Sequence, residues 1–428
     1  MRFPALILIP VLSTAAAAGE EPPSPRPPGP PGLEESRADY LLSGADQEVF
    51  VPIRNQYIRP LVSRKLGDWD ARFFLSETAV ADDNVFLSDR DREFDFVSVA
   101  TFGTRLTREG ASASSEVTAA VTREDYLRNP ALGNLSGYSR AGFQWGMRQG
   151  FVRVIDEFTR REDAVQFKGS TLGPSPATVG GGDRVSQVSN EAHLTLGFND
   201  DKLAAEIQYG NTYRSFGGPA GALDGMEHRG IALARWRATP KLEVNAMGEV
   251  RGLRYLDRIQ NDADARAAFA GFRWAASPKT TAYGRAGYLG QSVSSSGKVK
   301  DATAFHGPAG SAGIEWEASA RVRTDLQYSR DIYPLLGSNF QDTQLLGASV
   351  HWEASPRWSV LLKADFQDSR ASYTGEMDRG VTALLRVGFR PSDAVEIAFT
   401  WDFRARRSGA GDSDFDNNRL GLQITWGF

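Results

Sequence analysis

From Trp69 to the C-terminus the chain reads as segments of about ten residues in which apolar and polar side chains alternate, separated by turn-forming residues. In the last segment Leu420, Leu422, Ile424, Trp426 and Phe428 fall on one side and Arg419, Gly421, Gln423, Thr425 and Gly427 on the other. Val395, Ile397, Phe399, Trp401 and Phe403 likewise oppose Glu396, Ala398, Thr400, Asp402 and Arg404. Successive side chains of a strand point to opposite faces, so each segment predicts a strand with one apolar and one polar face. About eighteen such strands are expected, with sixteen as the alternative because the second and fifth segments alternate poorly. An even number lets the first and last strands pair antiparallel and close the sheet.

Alternation alone does not choose the solvent, since a soluble sandwich also has two unlike faces. The connections do choose. Eight short links, from Arg108–Ser112 to Pro391–Asp393, alternate with nine long ones, near 80–93, 129–137, 164–184, 215–227, 258–263, 295–304, 333–341, 371–377 and 408–416. Short turns at one end and long loops at the other describe a meander across a membrane. Four of the short turns follow a tryptophan at a fixed offset: Trp236, Trp274, Trp316 and Trp352. A tryptophan row at one rim predicts an aromatic girdle, because the ring is apolar and its N–H stays wet at a membrane boundary. The terminal strand Leu420, Leu422, Ile424, Trp426 and Phe428 resembles the C-terminal sorting strand that the outer-membrane insertion machinery recognises. The expected fold is all-β: a transmembrane antiparallel up-and-down β-barrel with short periplasmic turns and long extracellular loops.

Composition then settles which membrane protein this is not. Mean hydropathy is −0.37, and 24 % of residues are charged, which excludes a helical membrane protein. A net charge of −4 predicts no nucleic-acid partner. With no cysteine there is no disulfide or thiolate site. Residues 1–18 carry Arg2, an apolar run and Ala16–Ala18, as expected of a signal peptide. Residues 19–33 are a Pro-rich linker, 34–68 a periplasmic arm or short plug, and 69–428 the outer-membrane barrel. Outer-membrane lipids and the insertion machinery are the expected partners, and the bacterial outer membrane the expected location.

The segment Leu75-Ser-Glu-Thr-Ala-Val-Ala-Asp82-Asp83-Asn84-Val85-Phe86-Leu87-Ser88, followed by Asp95-Phe96, resembles the first hairpin of the second of the families classed as β-barrel porins. The resemblance runs from about Gly67 to Phe428, on a short motif, and departs from the looser pattern at Val80 and Ala81. It implies an outer-membrane barrel and, through some members, exopolysaccharide export, with polysaccharide and a periplasmic export apparatus as further partners. The residues Asp82, Asp83 and Asn84 lack the alternate acidic spacing of a calcium loop and are expected to form a solvated turn held by Asx-type bonds.

No catalytic, cofactor or metal site is expected. The four histidines, His193, His228, His306 and His351, have neither a Gly-x-Ser-x-Gly elbow nor a His-Glu-x-x-His pattern beside them. A water-filled lumen is also a poor place to strengthen charges for catalysis. Turning the polar faces inward gives the expected pore lining: Glu191, His193, Glu206, Glu243, Glu249, Arg251, Arg273, Arg285, Glu315, Arg323, Asp325, Lys363, Asp365, Arg386, Glu396, Asp402 and Arg404. Interleaved acid and base predict either a cross-strand network with a transverse field or a salt-bridged wall that only keeps the lumen wet. Tyr283 is the one inner aromatic noted, without a continuous track. The expected function is a porin-like channel for passive or polysaccharide-export-associated passage. The alternative is a structural or adhesive surface barrel plugged by loop 164–184 or by residues 34–68.

Overall fold

The alternating segments form strands throughout a computed structural model that describes residues 63–164, 184–217, 221, 223–301, 303–335, 338–372, 375–409 and 414–428. The expected signal peptide, linker and most of the expected arm, and residues 165–183 of the expected long loop, lie outside these residues. A short strand β1 (Arg64–Leu66) precedes β2 (Trp69–Asp82), β3 (Asp95–Glu109), β4 (Ala113–Tyr126), β5 (Asn134–Met147) and β6 (Gly150–Ala164). Then follow β7 (Arg184–Asn199), β8 (Leu203–Phe216), β9 (Gly225–Thr239), β10 (Leu242–Tyr255), β11 (Ala263–Ser277) and β12 (Thr280–Val293). The last are β13 (Phe305–Ser319), β14 (Val322–Leu335), β15 (Ser338–Ser355), β16 (Trp358–Ala371), β17 (Met377–Ser392), β18 (Val395–Ser408) and β19 (Phe415–Gly427). Helix is confined to short 3-10 turns among the described residues, such as Pro130–Leu132.

From β2 to β19 each strand pairs antiparallel with the next, and β19 pairs with β2 from Arg419↔Asp82 to Gly427↔Phe74. The result is a closed barrel of eighteen strands with no free edge along its paired length. The end of the arm adds to it: β1 pairs with the first residues of β2, Leu66 opposite Trp69 and Arg64 opposite Ala71. It occupies the stretch of β2 below the point where the chain end stops, at the Phe428 N–H donating to the Phe73 carbonyl (3.1 Å).

Burial is inverted relative to a soluble protein. Outward Leu422 is 54 % exposed and Ile207 64 %, whereas inward Ser76 is 1 % and Gln423 8 % exposed. An apolar outer face and a polar inner one are what a lipid-facing barrel requires. The short turns share one device. The side-chain oxygens of Thr239, Ser277, Ser319 and Ser355 each accept the N–H two residues on, at Lys241, Lys279, Arg321 and Arg357. Pro240, Pro278 and Pro356 stand between, where no ladder donor is needed.

One expected loop is a correction. Residues near 333–341 continue β14 to Leu335 and start β15 at Ser338, so two strands extend where a long loop was expected. The wall beside them is split. β12 and β13 pair up to Gln291↔Phe305, but β13 and β14 pair only up to Gly310↔Arg330. Above that level the β14–β15 hairpin leaves its neighbour. Ile332 and Phe340 occupy outward positions, in register with the outer Arg330–Asp342 ion pair, yet Ile332 is 2 % exposed. They cluster with Phe305, Leu289, Phe269 and Met247, which lie on the inward faces of β13, β12, β11 and β10. An outer face meets an inner face only if the hairpin bends inside the wall.

Candidate channel lumen and mouth

Register and burial put all seventeen expected lining residues on the inward face; Arg323, paired with Glu317 near a short turn, is the most open. The structure brings most of them into ion pairs. Glu249 accepts from Arg251 (2.8 Å) and from Arg229 (3.1 Å), and Arg251 also approaches Glu227 (3.7 Å), itself paired with Arg214. Glu206 pairs with Arg235, and Glu396 with Arg386 and with Arg390 (2.8 Å). Arg273 lies 3.7 Å from Glu315, Lys363 3.8 Å from Asp365, and Asp402 binds Arg404. Glu191 meets His193 at 2.6 Å, and Gln208 holds the other ring nitrogen.

Three lining residues have other surroundings. Asp325 takes the Tyr283 hydroxyl at 3.5 Å. Arg285 lies over the Phe269 ring and against the Met247 sulfur. Glu243 borders a pocket with Arg153, Arg235 and Phe151 near the short turns. Sequence reasoning missed the partners Arg214, Glu227, Arg229, Arg235 and Arg390. The same two-residue period marks them once the strand is phased, so the signal was present but unread. The other three histidines differ: His351 faces inward, while His228 and His306 sit on outward strand positions, His228 against the Tyr209 hydroxyl.

On the outside, Trp236, Trp274, Trp316 and Trp352 are exposed at the short-turn end, joined by Trp145, Trp358 and Trp426. Leu420, Leu422, Ile424, Trp426 and Phe428 all share the outward side of the closing strand.

The motif shared with the porin hairpin has a structural role. Asp82 Oδ1 accepts the Asn84 N–H, the expected Asx bond, but the turn is not solvated: Asn84 is 0 % and Asn417 1 % exposed. Asn417 Nδ2 donates to Asp82 (2.6 Å) and to the Asn84 carbonyl (3.1 Å), and Asn84 Nδ2 donates to the Asp416 carbonyl (2.8 Å). Asn418 donates its N–H and side-chain amide to Asp83, and Arg419 pairs with Asp82. The correction has a physical reason: first and last strands meet here, and each supplies the donors that the other's carboxylates require. Asp95 is a second pin, accepting the N–H groups of Phe96, Arg128 and Asn129.

At the long-loop end a polar latch ties four connections together. Asp301, 1 % exposed, accepts from the Ser372 hydroxyl (2.6 Å), the Asn339 N–H (2.9 Å) and the Thr303 N–H (2.8 Å). Asn261 donates to the Asp301 carbonyl (2.9 Å) and to Asn339 Oδ1 (3.2 Å). Burial pushes the Asp301 carboxyl up, but the hydrogen bonds from Ser372, Thr303 and Asn339 prevail and hold it below its ordinary 3.8.

A closed barrel with a lipid-compatible outer face and a charged inner face has the architecture of a transmembrane β-barrel. Among solved structures, the chain is similar to OccAB4 of Acinetobacter baumannii, at 12 % identity and TM-score 0.43 over 86 % of this chain and all of that one. It is similar to OccK3 (OpdO) of Pseudomonas aeruginosa, at 14 % identity and TM-score 0.46 over 84 % and 96 %. OmpTdeltaL8, a loop-deletion mutant of an outer membrane protein of Vibrio cholerae, matches at 10 % and TM-score 0.36, over 85 % and 100 %. No family model matches the chain, and no curated protein matches it. The likeness to the second porin family therefore stands on its motif alone.

Proposed function

We propose that this protein is a passive outer-membrane channel for small polar solutes, driven by their gradients and using no cofactor. The supporting observation is the inner wall, where acids and bases alternate around the barrel in pairs such as Glu249–Arg251, Arg273–Glu315 and Glu396–Arg386. Charges facing lipid would be costly, and a dry core would not hold so many; a wet lumen accommodates both signs. Paired charges present a polar surface without a strong net field, which suits uncharged or mixed-charge solutes.

Export-associated passage of polysaccharide is the finer reading carried by the motif resemblance. The motif's acidic and amide residues sit at the strand seam and the first two loops, where they hold the barrel together. Planar-bilayer conductance of the refolded chain, beside the chain lacking residues 164–184, tests the channel. Steady conductance of the intact protein is expected. Silence in both would leave the plugged structural or adhesive barrel.

A further inference from the structure

A water-filled channel gives no reason for Leu233, Met247, Phe269 and Leu289 to line its inner face, unless something dry covers them. All four are nearly or fully shielded, and the cluster they belong to ends on Ile332 and Phe340 of the bent hairpin. Phe340 meets the Phe305 ring edge-on, with centroids 5.4 Å apart. We propose that the ends of β14 and β15, residues 331–335 and 338–341, form the constriction of the channel and set its charge preference, held by the latch at Asp301. The inference rests on the channel reading and names the residues that regulate that same lumen.

Three observations support it independently. The first is the slit: pairing between β13 and β14 stops at Gly310↔Arg330, which frees the hairpin to bend. The bend leaves β14 edge groups without a ladder, and Asp331 Oδ1 accepts the Ile332 N–H at 2.8 Å in their place. The second is reach. Asp331 comes into electrostatic range of Arg251, Glu249 and Arg229, four and five strands away around the wall. Strands lie about 4.8 Å apart, so a side chain left in the wall would stand roughly 19 Å or more from them along the sheet. The third is the latch, since Asn339, just beyond the hairpin turn, is the residue that Asn261 and Asp301 grip.

The hairpin thus sets a carboxylate against an arginine-rich stretch of wall. Asp331→Asn keeps the oxygen that receives the Ile332 N–H and removes only the charge. The absence of cysteine makes a second test clean. Asn261→Cys with Asn339→Cys removes the side-chain amide bonds of the latch, and a short bifunctional thiol reagent restores the tie without them.

Single-channel recordings of the full chain should show Asp331→Asn shifting the reversal potential toward anions in a salt gradient. The double-cysteine protein should conduct more than the parent, and cross-linking should return it to the parental level, which a misfolded barrel would not do. A conducting parent whose variants match it in conductance and selectivity would overturn the constriction and leave the channel reading standing. Silence in the parent and in the unlinked variant alike would overturn both.

Discussion

The barrel wall has two places where strand pairing ends early, and they are resolved in opposite ways. At the seam, β19 and β2 pair from Gly427↔Phe74 up to Arg419↔Asp82, and a polar clasp continues the join beyond the ladder. At the slit, β13 and β14 separate above Gly310↔Arg330, and the hairpin is held instead at its far end, by Asp301 on Asn339. The difference lies in what the adjoining residues offer. The seam brings Asp82, Asp83 and Asn84 against Asn417, Asn418 and Arg419, so the carboxylates of one side meet donors on the other. The slit brings apolar Ile332 and Phe340, which gain more by folding onto the inner apolar stripe than by facing water at the rim. A closed seam maintains the barrel; an open slit lets a hairpin leave the wall.

The largest effect should come from breaking the seam. Asn84→Ala with Asn417→Ala orphans buried partners at roughly 1–3 kcal/mol for each group left unsatisfied. The unfolding midpoint of the barrel should fall markedly, measured by its heat-modifiable mobility, while single-channel conductance of the surviving protein stays at the parental level. Conductance that changes with the seam would erase the contrast. Next, Ile332→Ala at the slit removes a fully buried side chain, worth about 2–5 kcal/mol where the site cannot collapse. That loss should fall on the hairpin alone, raising conductance and hydrogen exchange at 331–341 and leaving the midpoint of the barrel nearly unmoved.

The smallest effect sharpens the comparison through pH. The Asp301 carboxyl is held below its ordinary 3.8 in the folded protein. Its contribution to the latch is therefore complete above that unfolded value and is lost as pH falls through the lower folded one. Conductance should be flat from neutrality to about pH 4 and rise only in stronger acid. Asp301→Asn should abolish that rise, and a rise that persists in the variant would assign the acid response to another group.

Much of the architecture was legible because a strand's two-residue period is local. Eighteen segments, eight short turns and the inward identity of residues such as Glu396 and Asp402 follow from parity along the chain. The repeated tryptophan before Thr239, Ser277, Ser319 and Ser355 could be read for the same reason. Parity fails where the chain leaves the wall. Nothing in Tyr333 to Gln341 distinguishes a loop from two strands that bend inward, since Pro334 and Gly337 read as turn residues in either case.

The sequence by itself determined the solvent of each face, the alternation of turn lengths and the closure of an even-stranded sheet, because each depends on neighbours a few residues apart. Only the tertiary structure decided which charges pair, what Asp82 and Asn84 clasp, and which apolar residues line the inside. Those contacts join residues more than 330 positions apart in the chain, as between Asp82 and Asn417, 335 apart, and their partners become visible only once the barrel has closed.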